Sequence, residues 1–394
     1  MVALTFEEAR SVVLQNARRG VETEPVRTLQ AIGRVIAENV PADRDYPPFP
    51  RSARDGYAVR SSDLPGELAI IGEVRAGEVF ERAIQAGEAV EIMTGAPVPQ
   101  GADTVVMVEH TEKAGTRVRI DRKQDPGDNF GPTGSEARAG ALVLETGKRI
   151  GFAEIALLAM VGHECVQVFR KPRVAILPTG DEIVEAGEKP ATHQIRNSNA
   201  WSLAAQVERA GGIPDIQPIA RDNRDSTRAA IERGLEADLL ILSGGVSAGK
   251  YDIVEAVFSE LGATFYFDRV KIQPGQPLVF GSVKGKQFFG LPGNPASTMV
   301  TFELFARAAL ELLGGAMTAP LPMLRAKLTR EFRHKPGLTR FLPAILSEDG
   351  AAITPESWHG SGDIPSLARA NAFLVADADR ERWASGDDIR VLIK

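Results

Sequence analysis

The sequence has one cysteine, Cys165, and five histidines among 394 residues. A single cysteine cannot form an internal disulfide, and it excludes a cysteine-rich zinc site. The histidines lack metal-ligand spacing, and neither a Gly-x-Ser-x-Gly elbow nor a Walker A lysine loop occurs. A hydrolase triad and a P-loop ATPase are therefore unsupported. Cys165 lies in an apolar stretch, which predicts a core residue.

Long apolar runs are missing too, and none approaches the roughly 20 residues that span a bilayer. The first ten residues contain acid where a signal peptide has a basic start and an apolar segment. The net charge of −6 argues against a general nucleic-acid binder and gives no reason to expect binding to a membrane surface. Because the composition is ordinary for a globular protein, we expect a cytosolic chain of about two to four domains.

Changes of pattern along the chain predict an α/β multidomain protein. The start is helical, and further helices are predicted over Leu29–Glu38 and Gly151–Val161. After the proline-rich segment Tyr46–Pro50, short alternating runs separated by glycine predict a β module. From residue 170 strands and helices alternate, which predicts a parallel sheet covered on both faces. The chain after Gly315 returns to a β pattern.

The central region predicts six strands and four helices. The last predicted helix is long and is followed by two glycines, which suit a helix end. The predicted strands are 173–177, 213–219, 239–242, 265–270, 278–282 and 287–290, and the predicted helices are 198–210, 226–235, 253–261 and 296–313.

The segment Ser243–Asp252 is the most informative part of the sequence. It follows a buried strand, precedes a helix, is rich in glycine and serine, and ends in a carboxylate. Glycines let the backbone approach a ligand, and free N–H groups at a helix start attract anions. Because the carboxylate of Asp252 would repel a phosphate, the loop indicates a phosphorylated ligand with a hard cation beside it. The alternative is a tight turn without a ligand.

Two more loops follow strands of the same sheet: Pro178–Glu182, and Leu291–Ser297 at the start of the long helix. Ligands of open parallel sheets bind beyond the carboxyl ends of the strands, so we expect these loops to meet the Ser243 loop there. The acidic residues Asp181, Glu182, Asp222 and Asp252 would then lie at one edge, an arrangement that suits Mg²⁺ shared with substrate phosphates. Alternatively, Asp181 and Asp222 cap helices or loops and stay solvated.

Two motifs lie in the β module, one around Asp55-Gly56 and one around Thr94-Gly95. Taken alone, each motif favours a structural turn over a functional site. The ordered set of motifs resembles the molybdopterin molybdenumtransferase family, which includes MoeA and the corresponding domain of gephyrin. The segments that carry the resemblance span nearly the whole chain and are 52–58, 93–99, 101–106, 178–182, 243–252, 273–278 and 290–297.

The resemblance implies a dimer of elongated, four-part subunits. The parts would be residues 1–45 with 133–169 as a helical linker and dimerisation domain, 46–132 as the β module, 170–315 as the molybdopterin-binding domain, and 316–394 as a C-terminal β-barrel-like domain. The active cleft would form between the central domain of one subunit and the β module of the other. The implied substrates are adenylylated molybdopterin and molybdate, with Mg²⁺ as cofactor and AMP released. Contacts with other enzymes of molybdenum cofactor synthesis are also implied.

The resemblance assigns catalytic roles to Asp55, Thr94, Glu182, Asp222 and Asp252. Asp222 and Asp252 would hold the metal ion. The residues expected to bind the molybdopterin are Thr179, Gly180, Asp181, Ser243, Gly244, Gly245, Ser247, Gly249, Pro292, Gly293, Asn294, Pro295 and Ser297.

The chain departs from the family pattern at two places. Gln273 and Gln276 stand where many relatives have lysine, and the loop 129–138 lacks the usual arginine cluster. Glutamine does not replace a cation in anion binding, although Arg269 and Lys271 lie close in sequence. The preference between molybdate and tungstate stays open. Two other functions stay open as well, a molybdopterin adenylyltransferase and a carrier that holds molybdopterin without catalysis.

Overall fold

The computed structural model describes residues 2–245 and 253–394. Within these ranges no helix has the length and apolar character needed to cross a membrane. The elements of the first 169 residues are α1 (Phe6–Asn16), β1 (Thr23–Arg27), β2 (Val40–Pro41), β3 (Arg51–Ser52), β4 (Gly56–Val59), β5 (Gly66–Val74), β6 (Glu88–Ile92), β7 (Thr104–Met107), β8 (Glu112–Ala114), β9 (Arg117–Ile120), β10 (Phe130–Gly131), β11 (Leu142–Leu144), α2 (Phe152–Met160) and β12 (Cys165–Phe169).

The N-terminal lobe contains fewer helical residues than the sequence predicts. The helix predicted over Leu29–Glu38 is wrong, because the chain there forms a short 3₁₀ turn, Thr28–Ala31, and then turns at Gly33 with φ +76°. The N–H of Gly33 donates to the carbonyl of Ile150, so this backbone bonds across the lobe and not along a helix. The helix predicted over Gly151–Val161 is present as α2.

Cys165 is exposed, and its predicted place in the core is wrong. It begins β12, which pairs antiparallel with β1. Alternate residues of a strand point to opposite faces, so Val166 and Val168 enter the lobe's core while Cys165 and Gln167 face out.

The β module is a six-stranded sheet in the order β7-β4-β6-β5-β9-β8. Its two faces bury separate apolar clusters, one around Tyr57 and one around Val90. A β module was predicted for this part of the chain, and the strands confirm its type.

The central region contains β13 to β21 and α3 to α7. Its elements are β13 (Arg173–Pro178), β14 (Ile183–Val184), β15 (Ile195–Arg196), α3 (Ser198–Arg209), β16 (Ile213–Ile216), α4 (Arg224–Gly234), β17 (Leu239–Ser243), α5 (Ile253–Glu260), β18 (Thr264–Arg269), β19 (Ile272–Gln273), β20 (Pro277–Val283), β21 (Lys286–Leu291), α6 (Pro295–Thr301) and α7 (Arg307–Leu313).

The central sheet is mixed and not wholly parallel as predicted. Its order is β16-β13-β17-β21-β20-β18, with the first four strands parallel and β20 antiparallel to both neighbours. Only Lys284 and Gly285 join β20 to β21, both with positive φ, which is a hairpin turn. Two residues cannot make a parallel crossover, and this reverses β20.

The long helix predicted over 296–313 runs from α6 to α7 through one π-helical segment, Phe302–Ala306. It is buried against the sheet together with α3. Helix α1 joins this same core rather than the N-terminal lobe, because its Phe6 ring lies 6.0 Å from Phe305 and 5.3 Å from Phe341. Arg10 supports the docking by donating to the carbonyl of Leu304 at 2.6 Å.

The C-terminal region is a closed β structure attached to the central region by β19. Strands β24, β25, β22, β28 and β26 form a ring, closed by the pairing of β26 with β24, and β19 adds to β24 in parallel. Its elements are β22 (Met323–Leu328), β23 (Phe332–Arg333), β24 (Thr339–Leu346), β25 (Ala352–Pro355), α8 (Ile364–Arg369), β26 (Ala372–Ala376), β27 (Arg382–Trp383) and β28 (Asp388–Ile393).

We predict that Phe6→Ala destabilises the chain by about 3 kcal/mol or more, the usual cost of deleting a buried aromatic ring. Phe6 is 4% exposed and contacts both the central and the C-terminal regions. The matched control is Leu14→Ala on the same helix, where the side chain is 37% exposed. Thermal unfolding measures both variants, and an equal loss of stability would contradict the docking role of Phe6.

Candidate functional site

Three loops meet at one edge of the central sheet because their strands are adjacent and parallel. In the sheet register, Pro178 of β13 is opposite Ser243 of β17, and Ser243 is opposite Leu291 of β21. The chain therefore leaves all three strands at the same level. This places Thr179, Gly244 and Pro292 side by side, as the sequence predicts for the carboxyl ends of parallel strands.

Glycine is required where these loops approach each other. Gly244 has φ +97°, and a Cβ atom there would lie 2.9 Å from both the carbonyl oxygen and Oγ1 of Thr179. A Cβ on Gly245, with φ +67°, would lie 2.9 Å from the side chain of Val254. Any side chain would therefore be strained and would push the loops apart, so the edge consists largely of exposed backbone.

Arg221 stabilises the loop after β13. Its guanidinium donates to the carbonyls of Gly180, Asp181 and Ile183 at 3.3 to 3.4 Å. The carboxylate of Asp181 accepts the backbone N–H of Asp222 at 3.2 Å. Asp181 thus has the structural partner that the capping alternative anticipated, and it ties the Asp222 loop to the Thr179 loop.

The loops enclose a cavity of about 740 Å³. The carboxylates of Glu182 and Asp222 are in its wall beside the glycine backbone. The predicted site residues that line it are Thr179, Gly180, Glu182, Asp222, Ser243, Gly244, Gly245, Pro292, Gly293, Asn294 and Pro295.

Other predicted site residues lie elsewhere. Asp181 and Ser297 are not among the described residues that line the cavity, and the carbonyl of Ser297 accepts the hydroxyl of Thr301 within the helix. Ser247, Gly249 and Asp252 fall outside the described residues. Within residues 2–245 and 253–394, no group of three or more His, Cys, Asp or Glu side chains could hold a metal ion.

Several lining residues were missed by the sequence reasoning. Five of the ten come from the segment before and at the start of α3, where Asn197 caps the helix by accepting the N–H of Ala200 at 3.1 Å. An asparagine directly before an amphipathic helix is a cap signal, and it could have placed this helix start at the same edge. The missed residues are Ile183, Ile195, Arg196, Asn197, Ser198, Asn199, Thr227, Ile253, Val254 and Pro277.

The C-terminal region contacts the third loop directly. The N–H of Ala296, in the first turn of α6, donates to the carbonyl of Ser361 at 2.9 Å. The loop of Ser361 is braced by Asp363, whose carboxylate accepts the hydroxyl and N–H of Ser366 and the N–H of His359. These hydrogen bonds lower the pKa of Asp363 to about 2. A braced loop of one region thus holds the start of a helix that belongs to another.

Asp55 and Thr94 form a pair in the β module. Oδ1 of Asp55 accepts the N–H of Thr94 at 2.6 Å and its hydroxyl at 2.7 Å. The backbone N–H is the larger cause, and together the two bonds lower the pKa of Asp55. Both residues are exposed, and neither is among the described residues that line the cavity of the same chain. The pair therefore presents an ionised carboxylate on an open surface.

The fold and this cavity define a multidomain protein built around an α/β domain that has a ligand-sized cavity at the carboxyl edge of its sheet. Three family models match the chain in order. The MoeA N-terminal region (domain I and II) matches residues 4–162, the probable molybdopterin binding domain matches 175–312, and the MoeA C-terminal region (domain IV) matches 325–394.

Relatives of known sequence agree over the full chain. The chain is 35% identical to a molybdopterin molybdenumtransferase of Bacillus subtilis, over 99% of this chain and 94% of that one. It is 33% identical to one of Staphylococcus epidermidis, over 92% and 89%. The chain belongs to the molybdopterin molybdenumtransferase family. The predicted family is confirmed, and so is its membership of an enzyme family.

Solved structures confirm the fold class. Two crystal structures of the molybdopterin biosynthesis MoeA protein from Pyrococcus horikoshii resemble this chain. One is 33% identical with a TM-score of 0.76 and covers 100% of this chain and 99% of its own. The other is 29% identical with a TM-score of 0.85 and covers 100% of both.

We predict that Thr94→Val raises the pKa of Asp55 part of the way toward its ordinary value near about 3.9. The variant removes the hydroxyl donor and keeps the N–H donor. The lowered pKa of Asp55 stabilises the folded wild type at pH values above the ordinary pKa, and this contribution is lost as pH falls through the folded pKa. The stability advantage of the wild type over Thr94→Val is therefore present at neutral pH and disappears in acid. Carboxyl NMR titration measures it, with Thr94→Ser as a control that keeps the donor. An unchanged pKa in Thr94→Val would refute the hydroxyl contribution.

Proposed function

We propose that this protein inserts molybdenum from molybdate into adenylylated molybdopterin, with Mg²⁺-dependent release of AMP. The observation that carries the proposal is the cavity of about 740 Å³, whose lining combines residues of three glycine-containing loops with the acidic residues Glu182 and Asp222. In a chain of this family, that combination suits a phosphorylated, nucleotide-linked ligand. A location in the cytoplasm and transient contacts with other enzymes of the pathway belong to the same proposal.

The glycine loops suit the phosphate of the molybdopterin. Gly245 and the Gly293-Asn294 turn line the cavity, and α6 begins beside it at Pro295. The N–H of Gly244 is not counted among the donors, because it already donates to the carbonyl of Leu291. Backbone N–H groups and the positive end of a helix favour an anion. The lining also includes Ile183 and Ile195, whose apolar side chains suit a flat ring.

The cavity has two acidic lining residues, which is enough for a Mg²⁺ ion that is also bound by a substrate phosphate. Mg²⁺ binds through one or two carboxylates, water and substrate phosphates rather than through a cage of protein ligands. Asp222 would hold it, with Asp252 from outside the described residues, and Glu182 lies in the same wall. Held by these carboxylates, such an ion would supply positive charge next to the phosphoryl group to be cleaved.

Arg340 offers a positive charge beside the glutamines that replace lysine. In the pairing of β19 with β24, Gln273 is opposite Arg340. The Nε of Arg340 is buried and has no hydrogen-bond partner among the described residues. We propose that this guanidinium helps to attract the molybdate dianion, since bidentate arginine suits oxyanions.

The active site is proposed to be completed by a second copy of the chain. Asp55 and Thr94 are exposed and away from the cavity of their own chain, so a partner's β module would bring them to it. The N-terminal lobe also exposes large apolar side chains on neighbouring elements, with Leu29 80%, Ile32 55% and Phe152 87% exposed. An exposed patch of this kind marks an interaction surface.

Two other functions compete with this one. A carrier of molybdopterin would bind the adenylate and release no AMP. An adenylyltransferase would need ATP and would consist of a single domain. This chain also has a β module and a C-terminal region, and the Bacillus subtilis relative matches it over 94% of that relative's length.

We predict that wild-type protein releases AMP from adenylylated molybdopterin only when both molybdate and Mg²⁺ are present. Asp222→Ala should lower that rate by 100-fold or more, on the order of the loss of one transition-state charge contact. Asp215→Ala, an exposed carboxylate of the same domain paired with Arg173, is the matched control. Chromatographic measurement of AMP decides it, and tight binding without release in the wild type would favour the carrier.

We predict that mixed dimers of Asp55→Ala and Asp222→Ala recover activity that neither variant has alone. If the site combines one subunit's β module with the other's cavity, half the sites of a mixed dimer are intact. Expected recovery is up to about half the wild-type rate per mixed dimer, by the combinatorics of two sites. Subunit exchange is verified by native mass spectrometry, and exchange without recovery would exclude a shared site.

A further inference from the structure

Asn199, the second residue of α3, bridges two of the three loops with one side chain. Its Nδ2 donates to Oγ of Ser243 at 2.9 Å and to the carbonyl of Gly293 at 2.8 Å. A carboxamide nitrogen has two hydrogens, so both are used. The carbonyl of Gly293 can only accept, which fixes the amide with Nδ2 toward it. Oδ1 of Asn199 is buried and has no partner among the described residues.

The two bridged loops lie close together just beyond the last paired residues of their strands, Ser243 and Leu291. The N–H of Gly244 donates to the carbonyl of Leu291 at 3.1 Å. A Cβ built on Gly293 would lie 3.6 Å from Cα of Gly244. Because these loops meet backbone to backbone, small changes in their separation change where their N–H groups point.

Helix α3 gives Asn199 a fixed base. Asn197 caps the helix, and its own N–H donates to the carbonyl of Val184 at 2.9 Å. Farther along, Leu203 and Val207 are fully buried in the central core. Movement of the helix start would therefore disturb the core. Because Asn199 is held in place by this helix, its two hydrogen bonds restrict the positions of the Ser243 and Gly293 loops.

We infer that Asn199 is a positioning residue that sets the separation of the Ser243 and Gly293 loops and thereby the affinity of the cavity for the molybdopterin phosphate. The inference rests on the proposed function for the identity of the ligand. It does not require Asn199 to touch that ligand. A carboxylate at this position would place oxygen against the carbonyl of Gly293, so the role requires a neutral amide.

The test compares Asn199→Ala and Asn199→Asp with the control Ser202→Ala. Ser202 lies one turn along the same helix, and its hydroxyl donates only to the helical carbonyl of Asn199. We expect the Kd for molybdopterin, measured anaerobically on folded protein, to rise about tenfold or more in both Asn199 variants, as two lost hydrogen bonds allow. The Kd of the control should stay within about twofold of the wild type.

Two further readouts separate positioning from general stability. The rate of AMP release at saturating substrate should fall less than the affinity, because bound ligand restores the loop spacing. The melting temperature should fall further in Asn199→Ala than in the control, because two hydrogen bonds are lost instead of one. The Kd values are therefore compared at a temperature where every variant is folded. A Kd within twofold of wild type for Asn199→Ala would overturn the inference, and so would an equal rise in the control.

A second variant and a ligand-free measurement keep the inference testable on its own. Ser243→Ala removes one of the two acceptors, and we expect an intermediate rise in Kd if Asn199→Ala does not fold. If the wild type binds no molybdopterin, the proposed function fails, and hydrogen exchange at the N–H of Gly244 decides the positioning role. Faster exchange in the Asn199 and Ser243 variants than in Ser202→Ala would support it, and equal exchange would overturn it.

Discussion

The parallel pairing of β13, β17 and β21 is the constraint on which the site depends. In their register the three strands end opposite one another, so the loops that follow them lie at the same edge of the sheet. The closest backbone contact at this edge is at Gly244, where a Cβ atom would lie 2.9 Å from Thr179 and would force the loops apart. The acidic residues and the start of α3 complete the lining of the cavity, whose position is set by the three strands.

The central region was largely predictable because its signals are local. Buried apolar runs end at glycine-rich segments, and this places Thr179, Ser243 and Pro292 together from topology alone. The failures have local causes as well. The turn at Lys284-Gly285 reverses β20, positive φ at Gly33 ends the expected helix, and strand alternation turns Cys165 outward. Each depends on one or two residues that a pattern of hydrophobic spacing does not weigh.

The site was less predictable than the fold because part of it depends on tertiary contacts. Asn199 follows an ordinary cap signal, and only the packing of α3 shows that its amide reaches Ser243 and Gly293. Asp181 is an example of a predicted site residue that has a structural contact instead. Its carboxylate accepts the N–H of Asp222, and it is not among the described residues that line the cavity. The Asp55 and Thr94 pair has a clear local geometry, while its part in a shared site rests on the proposed dimer.

Strand β19 has a mechanical consequence. It is hydrogen-bonded to β24 of the C-terminal ring, and four residues later the chain reaches Pro277 in the cavity wall. The ring therefore cannot rotate against the central sheet without pulling on that wall. The carbonyl of Ser361 also accepts the N–H of Ala296 in the first turn of α6. The C-terminal region is thus connected to the surroundings of the cavity at two points, through β19 and through Ser361. A small rotation of the C-terminal ring relative to the central sheet would therefore change the width of the cavity.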